Sequence, residues 1–499
     1  MVTIRADSPK SRPYALRFMA RILASTLALT AVAAAPAEAA ELPVFVVPEL
    51  ELADLEALSQ QGAVGLLVPD AGPETSAARS LAALERGAVR NSLLGDDPPG
   101  DPQIEVGFAR SPPPGPAIVV GLPRGGTEPN DRRYPIAVLA PGYRGLLTSP
   151  STRIPGLVSV ADVAPTALDR EDALGSTPDA DPVAALADLD AGIRDRRDAK
   201  TSVLLVSLAL IVALSALLPA AVLPGFAAIL LANLVLGIAG ANEAWVDVAV
   251  IVGFVAASLV LARLPLVAHG LLLAGVLAAY LVAMGVDERW VALSPFGPSQ
   301  NARFYGLSNL LATLLLVPAL AGAVLLGRAF GLWAFAAVAA LALVTVGGSE
   351  FGADGGGVIV LLAGYAALIV LSYGLTRRTA IAVGAVAAVL VLALAAGGES
   401  LRLSWHAATA GWGVGLLVGA GVAALVTLAL RERRPLLTAF LVAVAVSLLV
   451  SDSPNDVVVA GFAGYLALSS GPGVARPTAE RAMSAARGRR AQSAPATTP

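Results

Sequence analysis

The sequence predicts an α-helical polytopic membrane protein, with about 11 transmembrane helices preceded by a small α/β extracytoplasmic domain. Three observations carry that prediction. Hydrophobic residues make up 56% of the chain and charged residues 14%, with mean hydropathy +0.74, which is more apolar surface than a soluble core buries. Apolar runs of near-membrane length follow one another from Thr201 onward, and arginines are more numerous in one alternate set of connections than in the other. Residues 41–197, by contrast, have soluble composition with short apolar runs between helical patterns. The net charge of −3 points to no nucleic-acid partner, and the absence of cysteine excludes disulfides, thiolate metal sites and a Cys nucleophile.

Residues 1–40 read as a secretory signal peptide. Arg5, Lys10, Arg12, Arg17 and Arg21 precede an apolar run from Ile22 to Ala35, and Ala37-Glu38-Ala39 offers a small-x-small cleavage site. The run is shorter than the ~20 residues of a span, which favours cleavage over a signal anchor. Residues 41–197 form the predicted extracytoplasmic domain. Short apolar runs at 43–47, 64–68, 117–121 and 135–139 predict buried strands, and the patterns from Glu49 to Ser59 and Thr75 to Arg86 predict helices. Strands alternating with helices imply a mainly parallel sheet. Residues 94–115, rich in proline, read as loop. A charged helix from Pro182 to Lys200 leads to the membrane.

Residues 198–472 form the predicted transmembrane region, with spans at 201–220, 224–240, 246–263, 265–285, 305–327, 329–347, 356–374, 378–397, 409–430, 435–451 and 455–471. With residues 41–197 outside, the cytoplasmic connections carry Arg263, Arg328, Arg377, Arg378, Arg431, Arg433 and Arg434. Residues 473–499 become a disordered basic cytoplasmic tail. The many Ala, Gly, Pro and Arg and the few Lys suggest a GC-rich bacterial genome, so a bacterial plasma membrane is the expected location. The opposite loops collect the other polar groups: Asn242, Glu243 and Asp247; the stretch from Asp287 to Asn309; Glu350 and Asp354; Glu399, Arg402 and His406; and Asp452, Asn455 and Asp456. His269 is the one ionisable group that the span boundaries place deep in a helix, where a neutral imidazole bonded to a neighbouring helix is expected.

Two regions carry a resemblance. Ser151 to Leu168 (S-T-R-I-P-G-L-V-S-V-A-D-V-A-P-T-A-L) is similar to the C-terminal part of alkaline-phosphatase/sulfatase superfamily domains. The strand at 64–68 leading to the Thr75 helix resembles the segment that presents their nucleophile. Asn301 to Asn309, Phe351 to Gly357 and Ser451 to Val457 look like polar signatures of multi-pass proteins of Gram-positive bacteria with a phosphatase-like ectodomain. The resemblance implies a two-metal hydrolytic fold, but the chain departs from that pattern. Both histidines, His269 and His406, lie outside residues 41–197, and P-G-Y-R-G stands where such enzymes carry an Asp-His pair. What remains is a shortened domain, expected to hold neither metal nor cofactor and to bind or position rather than cleave; Asp162 is read as structural.

The candidate site is the set of loops facing that domain. Arg289 and Arg303 are suited to clamp a phosphate or carboxylate through paired N–H donors. Asn301, Tyr305 and Asn309 can orient hydroxyls. Glu350 and Asp354 are the candidate catalytic acids, as base or ion ligand, beside a glycine loop that lacks the Lys-Ser/Thr of a phosphate-binding loop. Glu399 and His406 form a second acid/base group, and Asp452, Asn455 and Asp456 a third polar set. Trp290, Phe304 and Tyr305 also fit an interfacial aromatic anchor. A membrane lipid or a lipid-linked cell-envelope precursor is the partner that this placement implies. A transporter or flippase of an amphiphile and a non-catalytic envelope assembly factor are the alternatives, and whether the chain is an enzyme stays open.

Overall fold

The predicted strands form where expected, but the sheet is mixed. The computed structural model describes residues 41–72, 74–90, 92, 98–170, 173–240, 243–298, 306–348, 351–352, 355–373, 412–451 and 454–471. Within them lie β1 (Val44–Val46), α1 (Leu55–Ser59), β2 (Ala63–Val68), β3 (Glu74–Thr75), α2 (Ala77–Arg86), β4 (Val106–Phe108), β5 (Ala117–Val120) and β6 (Glu128–Pro129). They are followed by β7 (Tyr134–Leu139), β8 (Gly145–Thr148), β9 (Leu157–Ser159), α3 (Val163–Ala167) and β10 (Gly175–Thr177). The main sheet runs β10-β8-β2-β7-β5-β1-β4, with β9 also on β2.

The predicted parallel order is broken at β7, which runs antiparallel to both β2 and β5. No helix lies between β5 and β7, and a parallel return needs a crossover that usually contains one. β4 also appears inside the stretch read as loop.

All of β2 and β5 is buried, because each face of the sheet is covered. Ile118, Val120, Ile136 and Val138 pack with Ala83 and Leu84 of α2 and Val163 and Ala167 of α3. Val119, Ala137, Val64 and Leu66 point the other way, onto Leu55 and Leu58 of α1 and onto Leu186 and Ile193. The period-2 alternation of one apolar run thus serves two layers. Burial of each such Val, Leu or Ile contributes roughly 1.5–3 kcal/mol.

Leu186 and Ile193 belong to α4 (Pro182–Leu217), a 36-residue helix that joins the two halves of the protein. Asp181 caps it by accepting from Ala184 N at 3.1 Å, and Pro182 stands at its first position. The predicted charged helix and first span are one continuous element: the helix runs through Gly192, and no proline or glycine follows in residues 193–217. Its first half lies on the sheet core; its second half enters the bundle through Val203, Ile211 and Leu214.

The bundle continues with α5 (Val222–Ala239), α6 (Ala244–Ser258), α7 (Leu266–Val286), α8 (Arg289–Ala292), α9 (Asn309–Phe330), α10 (Leu332–Gly347) and α11 (Gly355–Tyr373). It ends with α12 (Trp412–Arg431), α13 (Pro435–Val450) and α14 (Pro454–Ser470). Six helices among the described residues are long and apolar enough to cross a membrane: Pro182–Leu217, Pro219–Ala239, Ala244–Arg263, Leu266–Val286, Asn309–Phe330 and Gly355–Ser372. Leu332–Gly347 and Pro435–Val450 are apolar but shorter, so among the described residues six of the eleven predicted spans are matched at that length. The predicted span 378–397 lies outside the described residues. α5 and α9 are mostly buried by the other helices, whereas the equally apolar Ala244–Arg263 is mostly not.

His269 is not deep in the bundle. It sits in the first turn of α7, and its Nε2 donates to the Leu261 carbonyl at 2.9 Å, in the connection that carries Arg263.

Candidate functional site

Of the polar stretch 287–309, residues 287–298 and 306–309 are described, and the part from Asp287 to Pro298 is a plug between the sheet region and the bundle. Ala292 is fully buried in the core under the sheet, with Leu293 against it. Val291 and Phe296 are fully buried in the bundle core, where Trp290 packs as well. Gly237 of α5 allows this seat, because a Cβ there would come within 1.8 Å of the Trp290 carbonyl oxygen. From the sheet side, Arg153 Nη1 reaches Glu288 Oε1 at 2.9 Å. Arg153 does so with φ 58, in the left-handed region that a non-glycine side chain rarely adopts.

A hydrogen-bonded node fixes the plug from below. Asn233, fully buried on α5, accepts from Phe296 N at 2.8 Å. Its Nδ2 donates to Tyr280 Oη at 2.9 Å and Ser294 Oγ at 3.0 Å, and Tyr280 donates onward to the Leu230 carbonyl. Each polar atom is satisfied, so the node rigidifies three segments at once. Ser308 donates to the Phe296 carbonyl and caps α9 by accepting from Leu311 N at 3.0 Å. The plug is therefore tied to the start of α9.

At that start lies a cavity of about 20 Å³ between α9, α11 and α13, lined by the polar groups of Asn309, Thr313, Ser447 and Ser451 and by apolar side chains including Leu316 and Val360. That volume holds one water-sized group, such as a hydroxyl or a single phosphoryl oxygen. Thr313, Ser447 and Ser451 are buried, and the two hydroxyls of Thr313 and Ser447 lie 3.4 Å apart. α9 begins here at Asn309 and α11 runs from its described first residue Gly355, while α13 ends here at Val450, so the positive ends of two helix dipoles and the negative end of a third meet at the cavity. Leu307 N donates to the Gly352 carbonyl at 3.0 Å, which joins the two entry loops.

The predicted site residues fall into three groups. Asn309 lines the cavity. Arg289, half exposed, is engaged by Asp287, with Nε 3.0 Å from each carboxylate oxygen and Nη2 2.7 Å from Oδ2. That hydrogen bonding holds the guanidinium pKa above its ordinary value, and the fork is already filled within its own turn. Asp456 is paired with Lys200 of α4 at 3.3 Å, while Asn455 beside it is exposed. Asn301, Arg303, Tyr305, Glu350, Asp354, Glu399, His406 and Asp452 lie outside the described residues.

Thr313 and Ser447 escaped the sequence reading because a single hydroxyl inside an apolar run is also an ordinary helix-packing residue. Ser451 lies within the S-D-S-P-N-D motif.

In the sheet region the acids at the positions of the phosphatase resemblance are spoken for. Asp70, buried after β2, is bonded by Arg79 Nε at 2.6 Å. Asp162 accepts from the hydroxyls of Ser149 and Ser151, the latter at 2.6 Å. Among the described residues no group of three or more His, Asp or Glu side chains is arranged to hold a metal ion.

The chain matches no family model, no curated protein and no solved structure.

Proposed function

We propose that this protein is an integral membrane protein of the bacterial plasma membrane that binds the phosphate-bearing head group of a lipid-linked cell-envelope precursor. The observation that carries the reading is the cavity of hydroxyl and amide groups at the joined starts of α9 and α11. Two helix N-termini against one C-terminus favour an anion there, and the Thr313 and Ser447 hydroxyls can donate to one oxygen of it, with Asn309 and Ser451 lining the same space. An amphiphile suits such a place, because its head group meets the polar end of the bundle while its tail stays beside apolar helices. The distribution of arginine supports the orientation. Arg263, Arg328, Arg431, Arg433 and Arg434 sit at the end of the bundle away from the sheet, which the positive-inside rule makes cytoplasmic. Glu350 and Asp354, one to five residues before Gly355 in sequence, are the acids available if the bound precursor is also modified. In the sheet region, the partnering of Asp70 and Asp162 supports a non-hydrolytic role.

The test is native mass spectrometry of the protein purified from its membrane. A co-purifying polyprenyl phosphate or phosphoglycolipid, lost when Thr313 and Ser451 are both changed to Val, is the expected result. Retention of the same lipid by Thr313→Val/Ser451→Val would remove the cavity from the reading.

A further inference from the structure

A second concavity lies in the sheet region, at the sheet edge where β2, β5 and β8 begin and β7 ends. It encloses about 710 Å³ and is open and mostly polar, lined by Gln60, Gln61, Tyr143, Arg144 and Asp179 and by the turn backbone between them. A volume of that size matches a substantial ligand, and the polar lining excludes an apolar one.

Its positive group is built on a rigid turn. Gly142 and Gly145 flank Tyr143-Arg144 with φ of 95° and 77°. A Cβ at Gly145 would come within 2.4 Å of the Thr177 carbonyl oxygen and 2.6 Å of Asp179 N, so the turn is pressed against the strand that leads to α4. Arg144 N donates to Ser176 Oγ at 3.2 Å, and the Tyr143 hydroxyl donates to the Leu174 carbonyl at 2.8 Å. The Arg144 guanidinium is exposed and makes no hydrogen bond or ion pair among the described residues. On the segment packed against Gly145, Asp179 accepts from Asp181 N at 2.9 Å with one oxygen, leaving acceptor capacity on the other.

We propose that this concavity is a binding site for an acidic oligosaccharide. Arg144 takes a carboxylate of the ligand through its paired donors, and Asp179, Gln60 and Gln61 take ring hydroxyls. The placement excludes a lipid head group. α4 begins at the concavity and reaches its first apolar stretch 19 residues later, at Thr201, which at 1.5 Å per residue is about 28 Å away. The site is thus separate from the cavity between α9, α11 and α13, and it does not depend on what that cavity binds.

The experiment is isothermal titration of the full chain in detergent micelles with three probes: a hexameric uronic-acid oligosaccharide, neutral maltohexaose and inorganic phosphate. The acidic hexamer is expected to bind at least 10-fold more tightly than maltohexaose or phosphate. Arg144→Gln is expected to bring it down to the level of the neutral sugar, and Asp179→Asn to weaken both sugars. Because Arg144 is exposed, an unchanged melting temperature verifies that the variant is folded. Equal binding of acidic and neutral sugars, binding of phosphate alone, or no loss in Arg144→Gln would each overturn the proposal. Lipid co-purification should be unaffected by Arg144→Gln, so failure here and failure of the membrane-site reading are distinguishable.

Discussion

The sheet region and the helix junction beneath it handle buried charge in opposite ways. Under the sheet, Asp70 and Arg79 form a 2.6 Å pair whose outer atoms are also used: Ala71 N donates to Asp70 at 2.8 Å, and Arg79 donates to the Arg90 carbonyl at 3.0 Å. At the junction, Arg196 of α4 and Asp247 of α6 are 2% and 0% exposed. Arg196 Nη2 donates to the Leu236 carbonyl at 3.1 Å, but its Nε and Nη1 and both Asp247 oxygens have no partner among the described residues. The backbone offers one explanation for their presence: Arg196 bonds the last turn of α5 and Asp247 stands in the first turn of α6, each complementing a helix dipole. The difference teaches where this fold spends specificity. The sheet pair is integrated into its loops, whereas the junction pair is held by opposite charge and helix ends alone.

The most direct way to break that comparison is to delete one partner and then both. Asp247→Ala leaves Arg196 buried and uncompensated, with an expected loss of about 3–5 kcal/mol, read by denaturant titration in detergent. Replacing both, Arg196→Met with Asp247→Leu, should restore wild-type stability or exceed it. In the sheet, Asp70→Leu with Arg79→Met should remain well below wild type, because Ala71 N and the Arg90 carbonyl lose their partners. Equal outcomes for the two double variants would erase the contrast.

A smaller effect is expected at the node between the regions. Asn233→Leu should destabilise by roughly 1–3 kcal/mol, since it strands the Phe296 N–H in an apolar environment. Hydrogen exchange at Phe296 and at the start of α9 should rise together in that variant. Exchange that rises at Phe296 alone would show that the plug and α9 are not tied.

At Arg153 two contributions oppose each other. Arg153→Ala keeps the left-handed backbone and loses the 2.9 Å pair with Glu288, for a loss of about 1 kcal/mol. Arg153→Gly relieves the backbone and should fall closer to wild type. A melting temperature for the glycine variant below that of the alanine variant would contradict the strained-backbone account.

The smallest effect belongs to the far end of the bundle. Hydrogen bonding by Arg434, whose Nε and Nη2 each donate to a carboxylate oxygen at 2.9 Å, holds the Glu432 carboxyl below its ordinary pKa. A depressed folded-state pKa stabilises above the ordinary glutamate value, and the gain is lost as pH falls through the depressed one. The melting temperature of Glu432→Gln should therefore lie below wild type at pH 7 and converge with it in acid. A gap that persists at pH 3 would assign it to packing instead.

Apolar runs and arginine placement determined, from the sequence alone, that the protein is a sheet region joined to a bundle of apolar helices. Burial by the bilayer and by two covering layers acts on every residue of a run, so it leaves a periodic trace. The sequence also marked 287–309 as exceptional, through its polar groups. Tertiary structure decided the rest. That β7 runs antiparallel depends on a helix missing from one connection, and that α4 serves both halves depends on the helix continuing through Gly192. That Arg289 is filled by Asp287 while Arg144 is not depends on distances of a few ångströms. Ala292, Thr313 and Ser447 acquired their places through packing between segments far apart in the chain, and a short apolar or hydroxyl residue looks the same in sequence whichever neighbour it meets.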